Sequence, residues 1–132
     1  MKNLSLDSEI FTRSVEEIIV REHLEKVLQS GKKLRVKFGI DPTSPDLHLG
    51  HTVPLRKLRS FQQAGHTVVF IIGDFTATVG DPSGRSEARL PLVKKEIRYN
   101  MKHYLAQVEK ILDIKKTEVR YNSDWYKKAG VA

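Results

Sequence analysis

Cysteine is absent from the 132 residues, which removes disulfides and thiolate metal sites from consideration. Long apolar runs are absent too. The longest, Val68 to Gly73, is far too short to cross a bilayer. The N-terminus carries Lys2 but then Asp7 and Glu9, with no apolar stretch of the kind that precedes an export cleavage site. A cytoplasmic protein with no membrane partner is expected. Aromatics are sparse: five Phe, four Tyr and one Trp are spread through the chain, without the interleaved pattern of an RNA-binding signature. Internal repeats and low-complexity stretches are missing as well.

What is present suits one domain with a real hydrophobic core, and the chain is too short for two ordinary ones. A composition 39% hydrophobic and 30% charged is that of a globular protein. Twenty-three basic against sixteen acidic residues leave a net charge of +7, which suits a phosphate-rich partner. The basic residues gather at 32–37, 56–59, 94–98 and 115–116. A merely solvated basic surface would look the same, so charge is supporting evidence only.

Helical and strand patterns alternate along the chain. Ser14 and Glu17 have the spacing of a capping box and predict a helical segment with Ile18 and Ile19 turned inward. Leu24, Val27 and Leu28 continue at helical spacing to a stop at Gly31. Leu34, Val36, Phe38 and Ile40 alternate with polar residues or glycine, the pattern of a first strand. From about His48 to Ala64 the apolar residues Leu49, Val53, Leu58 and Phe61 return at helical spacing, before a stop at Gly65. Thr67 to Gly73 reads as a buried parallel strand. Gly80 to Arg89 is a turn-rich loop. A long helix is expected from about Pro91 to Leu112, with Val93, Ile97, Met101, Leu105, Val108, Ile111 and Leu112 on one side. Thr117 to Tyr121 is a third strand, and Trp125 begins a last helical segment.

Strand, helix, strand, loop, helix, strand is the order of an α/β protein whose parallel strands form a right-handed, doubly wound unit. In such a Rossmann-like fold, ligands bind beyond the carboxyl ends of the strands. The loops 41–47 and 74–89 both leave those ends and are expected to face one crevice. A division into an N-terminal helical segment, 1–33, and a Rossmann-like unit, 34–132, follows.

The run His48-Leu49-Gly50-His51 falls at the predicted start of a helix. A helix N-terminus offers unpaired N–H groups and a partial positive charge, suited to a triphosphate. Gly50 lets a flat base or ribose approach the backbone. Two imidazoles three positions apart share a helix face and can donate to phosphate oxygens. As a zinc pair they would need further ligands, and His66 and Asp46 form no recognisable ligand pattern with them. No metal site is expected.

The segment FGIDPTSPDLHLGH, residues 38–51, closely resembles the first signature of class I aminoacyl-tRNA synthetases, the HIGH motif with Leu in place of Ile. Together with IIGDFTATVGDPSGR, residues 71–85, it is similar to bacterial tyrosyl-tRNA synthetases. Residues 16–19 and 122–125 look like that family too, so the resemblance runs from about residue 10 to the end.

The resemblance implies activation of tyrosine by ATP to tyrosyl-adenylate, then transfer to tRNA(Tyr), with Mg2+ accompanying ATP and a homodimeric parent. It implies that Gly39 and Asp41 lie against ATP and the substrate backbone. Thr43, His48 and His51 would hold phosphate and ribose, and Gly50 would make room for the adenine. In the tyrosine pocket, Asp81 would bind the α-ammonium group with Thr76 nearby. Arg85 and Arg89 would grip pyrophosphate as it forms; apart from the resemblance they read as solvated loop charges. Asp81 also suits the turn at Pro82.

Two positions depart from better-known members. Lys37 stands where some of these enzymes place a tyrosine that bonds the substrate phenol. Pro54 stands where some have a ribose-contacting Thr, and a first-turn Pro would cost the helix little. The family's second signature, a Lys-rich KMSKS-type loop, is not in the chain, nor are the second half of the nucleotide fold and the tRNA-reading domains. A fragment carrying half of an ATP site, of uncertain turnover, is expected. Rival readings are another HIGH-motif adenylate-forming enzyme, such as a tryptophanyl synthetase or a pantothenate-type ligase, and a non-catalytic RNA-binding module.

Overall fold

A computed structural model describes residues 9–79 and 92–130. Its frame is a sheet of three strands, β1 (Arg35–Ile40), β2 (Thr67–Ile72) and β3 (Thr117–Tyr121), in the order β1-β2-β3. All pairings are parallel, with Phe38 beside Phe70 and Phe70 beside Val119. Parallel neighbours need crossovers. These are α3 (Leu49–Gln63), between β1 and β2, and α5 (Lys94–Val108), between β2 and β3.

One core explains why both helices lie on the same face. Val68, Phe70 and Ile72 of β2 alternate toward that face and are essentially sealed from solvent. Leu55 and Leu58 of α3 and Val108 of α5 close over them, as does Leu112 just beyond α5. Burying each such side chain is worth about 1.5–3 kcal/mol. Among the described residues the sheet is wound in one direction only, and its other face carries Arg35, Lys37, Gly39, Ile71, Glu118 and Arg120. There Arg35 of β1, paired with Thr67, reaches diagonally across β2 to Glu118 of β3, Nη2 to Oε2 at 2.6 Å. A second cluster, Ile10, Phe11 and Leu28, joins α1 (Glu9–Thr12) and α2 (Arg21–Gln29) to Phe61 and Ala64 at the end of α3. Lys57 of α3 donates to the carbonyls of Glu9 (2.7 Å) and Ile10 (3.2 Å) in α1.

Several sequence expectations need correction. Ser14 does not cap a helix: its φ of 52° is left-handed, whereas an N-cap needs extended backbone. Residues 13–20 form turns and irregular backbone, and α2 begins only after Val20. Pro54 is not in the first turn of α3 but is its sixth residue, so Gly50, four residues earlier, loses its helical donor. Leu49 and Val53, expected in the core, are 84% and 49% exposed, and Leu55 takes their place. Val93 is likewise exposed, while α5 buries Asn100 and Tyr104 instead. A four-residue helix, α4 (Thr76–Val79), was not expected. Pro91, proposed for the first turn of α5, lies outside the described residues. The last helix, α6 (Ser123–Lys128), starts two residues before Trp125.

Candidate active site

The carboxyl ends of all three strands open into one crevice of about 1220 Å³. It wraps over the rim of the sheet, from His48, His51 and Tyr104 on the helical side to Lys37, Gly39 and Ile71 on the other face. Thr43, Asp41 and Thr76 lie along the rim between them, with Asn122, Trp125 and Tyr126 of the β3–α6 segment closing one side.

At the start of α3 the two histidines cap the helix and each other. His48 has extended backbone (φ −94°, ψ 168°), and its Nδ1 accepts from the Gly50 N–H at 3.1 Å. The His51 Nδ1 accepts from the His48 N–H at 3.2 Å. The rings are 3.9 Å apart between centroids, and His51 also meets the edge of Tyr104 at 6.5 Å. Because both Nδ1 atoms are spent as acceptors, the neutral rings carry their proton on Nε2. The sequence thus yields two imidazole N–H donors at a helix N-terminus, where the backbone N–H groups of Gly50 and His51 are themselves taken up by His48 Nδ1 and the His48 carbonyl (2.9 Å). Partial burial, followed by the neighbouring His48 charge, pushes the His51 pKa below its ordinary value and favours that neutral form. A Cβ on Gly50 would stand 2.9 Å from His48 Cε1, so glycine here is also what lets the His48 ring fold back over the helix end.

A second constellation ties the strand ends together. The Thr76 hydroxyl donates to Asp41 Oδ1 at 2.8 Å and accepts from Asn122 Nδ2 at 2.9 Å. Asn122 Oδ1 accepts from the Phe75 N–H at 2.9 Å, and the Asn122 N–H donates to the Ile72 carbonyl at 3.0 Å. Asp74 accepts from the Ser123 N–H at 3.0 Å. One carboxylate from each of the first two strand ends is therefore held by a fixed donor. Gly73 is required by this closeness, because a Cβ there would collide with the Asp41 carboxylate and the Thr76 hydroxyl.

The loop between β1 and α3 is strapped from α5. Asn100, 6% exposed, donates to the Pro42 carbonyl at 2.9 Å. Gln107 donates to the Pro45 carbonyl and accepts from the Leu47 N–H at 3.0 Å. Thr43, exposed at the crevice, is fixed through its N–H to the Asp41 carbonyl at 2.8 Å.

Of the residues singled out from sequence, Lys37, Gly39, Asp41, Thr43, His48, His51 and Thr76 meet in this crevice, and Gly50 supports the His48 ring. Asp81, Arg85 and Arg89 lie outside the described residues. Asn122, Tyr104, Ile71 and Tyr126 line the crevice without having been singled out as site residues. Asn122 could have been found, since it is the first residue past the end of a parallel strand, where such folds place ligand contacts. Among the described residues, no three His, Asp or Glu side chains converge as metal ligands, and no helix is long and apolar enough to cross a membrane.

A family model described as class I tRNA synthetases (W and Y) matches residues 29–132. A tyrosine–tRNA ligase of Oleidesulfovibrio alaskensis is 55% identical over 131 residues, which are 98% of this chain and 33% of that protein. One from Idiomarina loihiensis is 54% identical over 121 residues, 92% of this chain and 30% of that protein. The chain thus spans about a third of the length of the curated relatives it matches. Among solved structures, a C-terminally truncated mitochondrial tyrosyl-tRNA synthetase of Aspergillus nidulans superposes with a TM-score of 0.66 at 27% identity, covering 82% of this chain and 34% of that one. The tyrosyl-tRNA synthetase of Archaeoglobus fulgidus, complexed with L-tyrosine, superposes with a TM-score of 0.75 over 93% of this chain and 36% of that one. At 22% identity that likeness is one of fold.

Proposed function

The chain belongs to the class I tRNA synthetases of the tryptophan and tyrosine type, and on that premise we propose that it carries the ATP-binding half of a tyrosine–tRNA ligase. The reaction is attack of the tyrosine carboxylate on the α-phosphorus of ATP. The new oxygen–phosphorus bond gives tyrosyl-adenylate, and the bond to the β-phosphate oxygen breaks to release pyrophosphate. Tyrosyl then passes to the terminal ribose of tRNA(Tyr). In this reading residues 34–132 are the first half of the catalytic domain, and the parent protein is a cytoplasmic homodimer.

The reading rests above all on the reciprocal histidine cap. His48 and His51 line the crevice at the positive end of α3, and their two Nε2–H groups are the donors available where charge on the transferring phosphate grows. Donors fixed before the reaction need no reorganisation as it proceeds, and removing one costs about 3–4 kcal/mol. Thr43 adds a hydroxyl beside them. Gly39 leaves the crevice floor open for the nucleotide, and Asp41, held by Thr76, faces its ribose or the substrate backbone. Tyrosine lies on the other side of the rim, with Thr76 and Asp81 at its ammonium group and Lys37 near its phenol. Arg85 and Arg89 neutralise the leaving pyrophosphate. Mg2+ enters with ATP.

Amino-acid-dependent pyrophosphate exchange across all twenty amino acids, with calorimetric titration of tyrosine and ATP into the chain, tests this. Tyrosine is expected to bind the wild type and to bind Asp81→Ala at least tenfold more weakly. Exchange with another amino acid and none with tyrosine would overturn the choice of substrate, and equal tyrosine binding by both forms would remove Asp81 from the pocket.

A further inference from the structure

Two of the basic clusters among the described residues, one beside α3 and one on α5, differ in what they already touch. Beside α1 and α3 a cleft of about 320 Å³ is lined by Arg13, Arg56, Lys57 and Arg59. Most of these are engaged internally: Arg13 with Glu9, Lys57 with two α1 carbonyls, and Arg59 with Gln62. The second cluster is the outer side of α5. Lys95, Arg98 and Lys102 recur there at helical spacing, all exposed. No carboxylate among the described residues pairs with any of them. Glu96, the one acidic residue within α5, is occupied at the helix start, where its Oε2 accepts from the Val93 N–H at 3.1 Å.

Two rings lie within the same stripe. Tyr99, 59% exposed, packs against His103 one turn on, with centroids 4.3 Å apart and planes inclined by 47°. Leaving a ring pair in water amid unpaired cations gains the fold little. The same arrangement is what a nucleic-acid strand needs: cations spaced for successive phosphates and an aromatic platform for a base. Sequence spacing alone hid it, because Tyr99 and His103 become neighbours only on the helix. The stripe also begins close to the crevice, since Leu92, just before α5, lines it.

We propose that the stripe Lys95, Arg98, Tyr99, Lys102 and His103 is an RNA-contacting surface, binding phosphodiester oxygens through its cations and stacking one unpaired base on Tyr99 and His103. The RNA would be one whose end reaches the crevice, so the proposal rests on the tRNA-ligase reading for its partner while standing on α5 alone for its chemistry.

The test is filter binding of the full 132-residue chain to a hairpin RNA with a single-stranded 3′ tail, over a series of salt concentrations. The Lys95→Gln/Arg98→Gln/Lys102→Gln variant should lower the salt slope by about two and weaken binding about ten- to a hundredfold at moderate salt. Tyr99→Ala should weaken binding about five- to a hundredfold while keeping the slope. Arg56→Gln in the α3 cleft is the control and should change neither by more than about twofold. Tyrosine binding, measured on the same variants, should stay at the wild-type level. An unchanged slope in the triple variant, or an equal loss in Arg56→Gln, overturns the proposal and leaves α5 a solvated face. Absence of tyrosine binding by the wild type would instead sink the ligase reading while leaving the α5 result to stand on its own.

Discussion

Helices α3 and α5 are matched in length and position, fifteen residues each, on the same face of the same sheet. Their starts differ in a way that separates the work they do. At the start of α5 a carboxylate, Glu96, answers the free N–H of Val93 and complements the positive end of the helix. At the start of α3 that place is taken by two imidazoles, which satisfy N–H groups but bring no negative charge. Forgoing a carboxylate there gives up about 0.3–1 kcal/mol of favourable dipole interaction. It leaves the positive end of α3 without a carboxylate and adds two imidazole donors beside the crevice, which suits an anionic ligand. In turn α5 holds the loop that feeds α3 through two amide side chains, the buried Asn100 and the partly buried Gln107. One helix presents the site and the other holds it in place.

The largest expected effect tests that division. Asn100→Leu leaves the buried Pro42 carbonyl without its partner and should destabilise the chain by about 1–3 kcal/mol. Because the β1–α3 loop is then loose, ATP binding should fall as well, although Asn100 does not line the crevice. The counterpart is Gln62 on α3, which bonds the Asp113 carbonyl (3.1 Å) and the Thr117 hydroxyl (2.8 Å) far from the site. Gln62→Leu should lose stability on a similar scale and keep ATP binding. Urea midpoints and ATP titrations on both variants decide: an equal loss of ATP binding in Gln62→Leu would mean that α5 does not hold the loop in any special sense.

A smaller effect separates capping from ligand contact within α3 itself. His48→Ala should cost about 0.5–2 kcal/mol, the usual range for a lost N-cap. His48→Asn supplies a side-chain oxygen near the former Nδ1, so stability should return to near the wild-type value while ATP affinity does not. Glu96→Ala on α5 should show a comparable stability loss with ATP binding intact. Recovery of ATP affinity in His48→Asn would make the histidine a cap and nothing more.

How much of this was legible beforehand depended on how local the cause was. The bounds of α3 could be read because His48 and Gly65 bracket it, and Gly65 takes the left-handed φ of 94° that ends it. Strand β2 could be read from its own apolar run. The apolar side of α5 could be read as well, from Ile97 through Val108 to Leu112, but not the burial of Asn100, which is inside for the sake of a carbonyl 58 positions away. Periodicity sees only a polar residue and turns it outward. The capping signal at Ser14 was local and still failed, because the chain enters a left-handed turn there. In the crevice, Asp41, Thr43, His48 and His51 sit within one short segment and announced themselves. Asn122 reaches Thr76 across 46 positions, and only the general rule about strand ends pointed to it.

The smallest expected effect is on pH dependence, and it again sets α3 apart. Burial lowers the His51 pKa, and burial lowers that of His66 too, the latter with Lys33 as a lesser cause. The neutral ring is the useful form in both places: His51 Nδ1 accepts from the His48 N–H, and His66 Nδ1 accepts from the Leu34 N–H at 3.3 Å. A histidine whose folded pKa lies below its unfolded one, near 6.5, contributes stability that is fully present above that value and is lost as pH falls through the folded pKa. The urea midpoint should therefore drop between pH 7.5 and pH 5.5. His66→Asn keeps an acceptor beside Leu34 and removes one titrating ring, so part of the drop should disappear while ATP binding at pH 7.5 is unchanged. His51→Asn should remove another part of the drop and, unlike His66→Asn, weaken ATP binding at every pH. A drop left intact by both changes would place the acid sensitivity in some other group and separate it from the start of α3.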